Sequence, residues 1–229
     1  LAAIVAALLA AFPCLGPEVY YLSFMFSVFM YVILASSWNI IGGYAGYLSF
    51  GHAAFFGIGA FATAKTAAFF ELSPLPTLLA SLPAGILAAL VALIIGYPCL
   101  KIRGPYFAVV TLCFGFVVEL AVKNIEFLGG AEGIWMQFMD LPEKMSRTIM
   151  YEAMLLLAVI TLGAAWWLGN SRLGAGLRAV RADEEVAETM AIPTAKIKIQ
   201  AFVLSAFFPG VAGGLFAYYL TYIHPDVVF

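Results

Sequence analysis

The sequence is short of charge. Its 229 residues carry 11 Lys and Arg and 13 Asp and Glu, so only 10% are charged, while 64% are hydrophobic. Soluble domains carry about 25% charged residues, and a water-facing surface cannot be built from this inventory. Cysteine is scarce too. Cys14, Cys99 and Cys113 form no C-x-x-C pair and no metal-ligand spacing, which points to thiols packed as small hydrophobes. There is no basic tract for nucleic acid and no acidic tail, and a net charge of −2 says nothing about partners. These absences exclude a soluble globular domain and a nucleic-acid binder. An integral membrane protein remains.

What is present is a series of apolar segments. Up to Ala64 the only formal charge is Glu18. Leu1–Phe12, Val19–Ile41, Ala53–Phe70, Thr77–Leu100, Tyr106–Ile125, Ile149–Leu168 and Ile199–Ile223 read as about seven spans. No positive charge precedes Leu1–Phe12, so it reads as part of a first transmembrane helix rather than as a signal peptide. The expectation is one all-α transmembrane domain over 1–229, truncated at both ends. Gly42 to His52 interrupts the second span with four glycines in ten residues, a poor helix interior. The helix after it is rich in small residues (Gly57, Gly59, Ala60, Ala62, Ala64), which allow close helix packing. Pro74 and Pro76 mark a turn, and Glu126–Thr148 is a more polar loop.

The charge that exists is gathered in one place. Arg172, Arg178, Arg181, Asp183, Glu184, Glu185, Glu188, Lys196 and Lys198 all fall between Ser171 and Lys198. Placing this island in the cytoplasm also places Lys101 and Arg103 there. The opposite side gets Lys123, Lys144 and Arg147, with Lys65 inside a span, so the asymmetry agrees with the positive-inside rule. Arg172 to Gly176 reads as a flexible entry, and Leu177 to Arg181 as helix. Asp183 suits the cap of a second short helix, which Pro193 ends. Ala182, Val186 and Met190 fall on one side of it at helical spacing, with Glu185 and Glu188 on another. Charge alone leaves a loop resting on lipid headgroups equally open. The small apolar stripe favours docking into a protein groove.

Four stretches carry a resemblance. Ser171-Arg172-Leu173-Gly174-Ala175-Gly176-Leu177-Arg178-Ala179-Val180-Arg181 and Glu185 to Ile192 are similar to the cytoplasmic coupling loop of branched-chain amino acid ABC permeases. Asn39 to Phe61 resembles that family's Gly-Tyr-x-Gly-x-x-Ser-x-Gly segment and the small-residue helix after it. Arg103 to Leu112 resembles the mark of LivM-type subunits, as against their LivH-type partners. Gly129-Gly130-Ala131-Glu132-Gly133 matches the external Gly-rich loop. The sequence departs from the family pattern at Tyr47, Ala191, Leu128 and Phe116, where Gln, Gly, Thr and an acid are expected.

The resemblance implies a non-enzymatic permease subunit of an importer of leucine, isoleucine and valine in a bacterial inner membrane. It implies a LivH-type permease partner, two cytoplasmic ABC ATPases that bind ATP, and a periplasmic substrate-binding protein. No cofactor is expected on this chain. The coupling residues it implies are Arg178, Arg181, Glu185, Val186, Ala187, Met190 and Ile192, within the 171–198 loop. The path residues are expected at Gly46, Tyr47, Ser49, Gly51, His52, Phe55, Gly59, Tyr106 and Thr111. The glycine-rich break offers backbone polar groups to a solute, with helix packing as the equal alternative.

Other chemistry is thin. Gly59-x-x-x-x-Ala64-Lys65-Thr66 lacks the second glycine of a phosphate loop and follows no strand. Ser49 and His52 would suit an intramembrane hydrolase but have no third member. Lys65 lies near enough to a helix end to snorkel. Glu119 and Lys123 are spaced to pair near the outer interface. Tyr106 and Phe107 suit interfacial anchoring better than solute contact. A permease of the same family for urea or another small polar solute would look nearly identical. A secondary carrier depending on Glu119 is the alternative from a different class.

Overall fold

In lipid every backbone polar group must be satisfied within its own segment, so apolar runs of this kind have to become helices. The computed structural model describes residues 2–70, 74–102, 104–125, 129–136 and 142–229. Their helices are α1 (Ala2–Ala11), α2 (Val19–Ala45), α3 (His52–Phe69), α4 (Pro74–Cys99), α5 (Pro105–Asn124), α6 (Glu143–Asn170), α7 (Arg172–Ala182), α8 (Glu184–Thr189), α9 (Thr194–Leu220) and α10 (Pro225–Val228). Strands β1 (Ile134–Trp135) and β2 (Tyr222–Ile223) pair antiparallel, with Ile134 opposite Ile223.

Among the described residues five helices are long and apolar enough to cross a membrane: α2, α4, α5, α6 and α9. The chain is therefore a multi-pass helical membrane protein. Of the seven expected spans, the two below this standard are α1, with 10 residues, and α3, whose His52, Lys65 and threonines lower its hydropathy. The burial of α3 explains its composition. Ala54, Phe55, Phe56, Ala60, Phe61 and Ala64 all lie inside the bundle, so lipid does not set its polarity.

α9 is the axis of the bundle, with 67% of its most apolar stretch buried against 17% for α5. It packs against α3 so closely that a Cβ on Gly59 would strike the Gly210 backbone, and one on Gly213 would strike the Phe56 carbonyl. On α4, Gly85 faces Val211 and Gly96 faces Phe202. Without a hydrophobic drive between helices in lipid, such contacts supply dispersion energy that bulkier residues would forfeit. α6 lies on α2, and the Tyr151 hydroxyl donates to the Leu9 carbonyl across 2.7 Å, tying α1 to the same side.

The two ends of the bundle differ as the charge pattern predicts. One end gathers the terminus of α2, Leu100, the end of α6, and α7 with α8. The other carries the β1–β2 ribbon, the Lys123–Asp226 ion pair, Arg147 over the Tyr219 ring and Lys144 on the Gly16 carbonyl. Arg103 and Leu128 lie outside the described residues.

Three local readings are corrected. α2 continues past Ile41 to Ala45, because Gly46 at φ 77° supplies the left-handed cap and its N–H bonds back to the Ile41 carbonyl. The entry to the charged island is helix rather than flexible chain. Ser171 caps α7 through Gly174 N–H, and Gly174 fits against the Leu168 carbonyl where a side chain would collide. Cys99 is buried, whereas Cys113 is exposed on the outward face of α5.

Candidate functional site

The island folds as two short helices laid across one end of the bundle. Asp183 separates them and accepts from Glu185 N–H at 2.9 Å and Val186 N–H at 3.1 Å, satisfying the first turn of α8. Gly174, Gly176, Leu177 and Val180 of α7 and Ala187 of α8 face the bundle. Val186 (53% exposed) and Met190 (72% exposed) face away from it, flanked by the exposed Glu185 and Glu188. Ile192 is half-buried against the core. Ala191 holds φ 59°, a left-handed conformation that favours glycine, the residue expected there from the resemblance.

Arg178 and Arg181 are exposed, yet both grip their own chain. Arg178 donates to the Gly169 carbonyl at 2.6 Å, and Arg181 donates to the Gly43 carbonyl at the end of α2. Each satisfies a carbonyl left over at a helix C-terminus. Charge reversal at either position would therefore disturb anchoring as well as any docking.

Beside this end lies a non-helical segment, 46–51, between α2 and α3. Trp38 Nε1 donates to the Ser49 carbonyl at 2.9 Å, and Phe50 N–H donates to Thr111 Oγ1 at 3.1 Å. A Cβ on Gly51 would come within 3.2 Å of the Thr111 carbonyl. Ser49 is buried and its hydroxyl has no hydrogen-bond partner among the described residues. His52 opens α3, 7% exposed, with neither ring nitrogen in a hydrogen bond of ordinary geometry. Their side chains do not bond to each other, so they form no nucleophile–base pair. His52 lines a groove of about 960 Å³ between α2 and α3 with Trp38, Asn39, Phe56 and Phe229.

The remaining path candidates scatter. Phe55 packs between Phe114 and Phe202, and Gly59 belongs to the α3–α9 seam. Tyr106 is 71% exposed on the first turn of α5, away from the 46–51 segment that the buried Thr111 touches. Glu119 is held by Lys123 at 2.7 Å, as its spacing predicts, and Lys123 also reaches Asp226 at 2.5 Å.

Tyr47 is the path candidate that joins the two regions, through residues the site reading omitted. Its hydroxyl donates to Glu184 Oε2, and Glu184 Oε1 pairs with Lys198 Nζ at 2.6 Å. Lys198 is 3% exposed. The signal for it lay in the helical spacing, since Lys198 shares a face with the buried Ala201, Phe202 and Ser205 while Lys196 does not.

The family model for the permease component of branched-chain amino acid transport systems matches residues 20–229. The high-affinity branched-chain amino acid transport system permease protein LivM of Escherichia coli strain K12 is 32% identical over 225 residues, covering 86% of this chain and 52% of that protein. Its namesake from Salmonella typhimurium strain LT2 is 31% identical with the same coverage. The chain thus spans about half the length of the curated relatives it matches. No solved structure matches it. With a match from residue 20 to its last residue, a multi-pass helical bundle and LivM-type relatives, the chain belongs to the family of branched-chain amino acid transport permease components.

Proposed function

We propose that the chain is part of the LivM-type subunit of an ATP-driven importer of branched-chain amino acids in a bacterial inner membrane. In this reading it works beside a LivH-type permease, two cytoplasmic ABC ATPases and a periplasmic binding protein. The names of its relatives support the substrate class and the permease role. The observation that carries the rest is the outward face of α8. A capped six-residue helix holding Val186 and Met190 away from the bundle, ringed by carboxylates, suits a groove on a soluble partner. ATP-driven movement of that partner displaces α7 and α8 and thereby the 46–51 segment, alternating access to a path beside His52.

Co-purification of the full-length subunit and its permease partner with the ATPases tests this. Val186→Asp with Met190→Asp removes the outward apolar face and leaves the Arg178 and Arg181 anchors in place. The expected result is loss of the ATPases by at least about tenfold in affinity, as hot-spot side chains give, with the permease pair intact. Failure of the wild type to retain ATPases overturns the reading. The secondary-carrier alternative gains nothing, since its carboxylate, Glu119, is engaged by Lys123.

A further inference from the structure

The Lys198 ammonium is buried in a chain with little charge to spare, and all three of its hydrogens are used. They go to Glu184 Oε1 at 2.6 Å, the Leu100 carbonyl at 3.0 Å and the Tyr47 hydroxyl at 3.2 Å. The Tyr47 hydroxyl in turn donates to the second Glu184 oxygen, closing a ring of three side chains. The ammonium also sits 4.9 Å from the centre of the Tyr47 ring. Four separate stretches of backbone meet here: the end of α4, the 46–51 segment, the first turn of α8 and the second turn of α9.

Two features make this more than a staple. α8 buries only Ala187 among its six residues, so packing alone holds it weakly to the bundle. The network ties it to the membrane body, and Thr194 on Glu188 at 2.9 Å adds a further contact among the described residues. On its far side, Tyr47 meets the fully buried Phe107 edge-on at 5.3 Å, and Phe107 meets Phe202, which meets Phe55 of α3. A displacement of α8 therefore has a rigid, contiguous route into the 46–51 segment and into α5, α9 and α3. A buried ion pair adds little net stability over apolar residues of like volume, but losing one partner leaves a costly unpaired charge, so the two move together.

We propose that the Glu184–Lys198–Tyr47 ring is the joint through which movement of α8 is transmitted to the 46–51 segment, making these three positioning residues for transport. The proposal rests on the importer reading above. Docking and transmission are then separable. Val186 and Met190 decide whether the ATPases bind, and the ring decides whether their cycle moves the path.

The test uses the full-length subunit assembled with its permease partner and ATPases in proteoliposomes, with the binding protein and labelled leucine. Glu184→Gln combined with Lys198→Met removes both charges together and leaves no buried unpaired ion. Tyr47→Phe removes one oxygen and keeps the ring, so it serves if the double variant does not fold. The expected result is retained ATPase association with leucine imported per ATP hydrolysed falling roughly tenfold, within the range of ordinary coupling energies, and Lys198→Arg recovering part of the loss. Wild-type coupling ratios in the double variant and Tyr47→Phe, or in Tyr47→Phe alone if the double variant does not fold, would overturn the proposal. Loss of ATPase association in Tyr47→Phe would also overturn it, by making the ring a support for docking alone. If the wild type binds no ATPase, the importer reading itself fails, an outcome distinct from either.

Discussion

Single residues in this protein show their purpose where they break a local rule. Ala191 holds a left-handed backbone that costs a Cβ-bearing residue about 1–2 kcal/mol. Ala191→Gly is expected to raise stability by about 1 kcal/mol, read as a higher thermal midpoint in detergent without change in ATPase binding. Asp226 is a second case. The Lys123 ammonium bonded to it holds its carboxyl below the usual carboxylate range. A carboxylate depressed on folding stabilises above its unfolded pKa, and the benefit is lost as pH falls through the folded value. The wild type should therefore melt slightly higher than Asp226→Asn at about pH 7, with the difference closing only as pH falls through the lowered folded value. The margin is small because the pair is exposed. Sequence spacing revealed Glu119–Lys123 at i, i+4, but not Asp226, which reaches Lys123 only through the turn after β2.

At the scale of elements, small residues decide the architecture. α9 can serve as the axis because Gly210, Gly213 and Gly214 leave room for the backbones and short side chains of α3 and α4. Gly59→Val should force α3 off the Gly210 backbone and cost about 3 kcal/mol or more. Thermal unfolding and the monodispersity of the purified subunit measure it, and a wild-type midpoint would refute the packing argument. The apolar runs and the Gly-rich break were legible in the sequence because lipid permits so few backbone solutions. The extent of the break was not, since glycines at 42 and 43 stay helical where Gly46 supplies the cap. Nor was the helical entry at Arg172, because Gly174 and Gly176 read as flexibility when their small size serves close packing. Lys198 and Glu184 stood in plain view as charges of the island. Only the folded chain sets them against Tyr47, 151 and 137 positions away in sequence.

The whole molecule reads as a membrane bundle with one hydrated, mechanically tied end. Charge placement sorts its two ends, α9 joins them, and α7 with α8 close one of them over the 46–51 segment. The most decisive measurement is uptake of labelled leucine by proteoliposomes holding the full-length subunit with its permease partner and ATPases. The importer reading predicts uptake that requires internal-face ATP and the binding protein, and that is lost in the Val186→Asp/Met190→Asp variant. Uptake by the subunit alone, driven by a proton gradient without ATP, would contradict it.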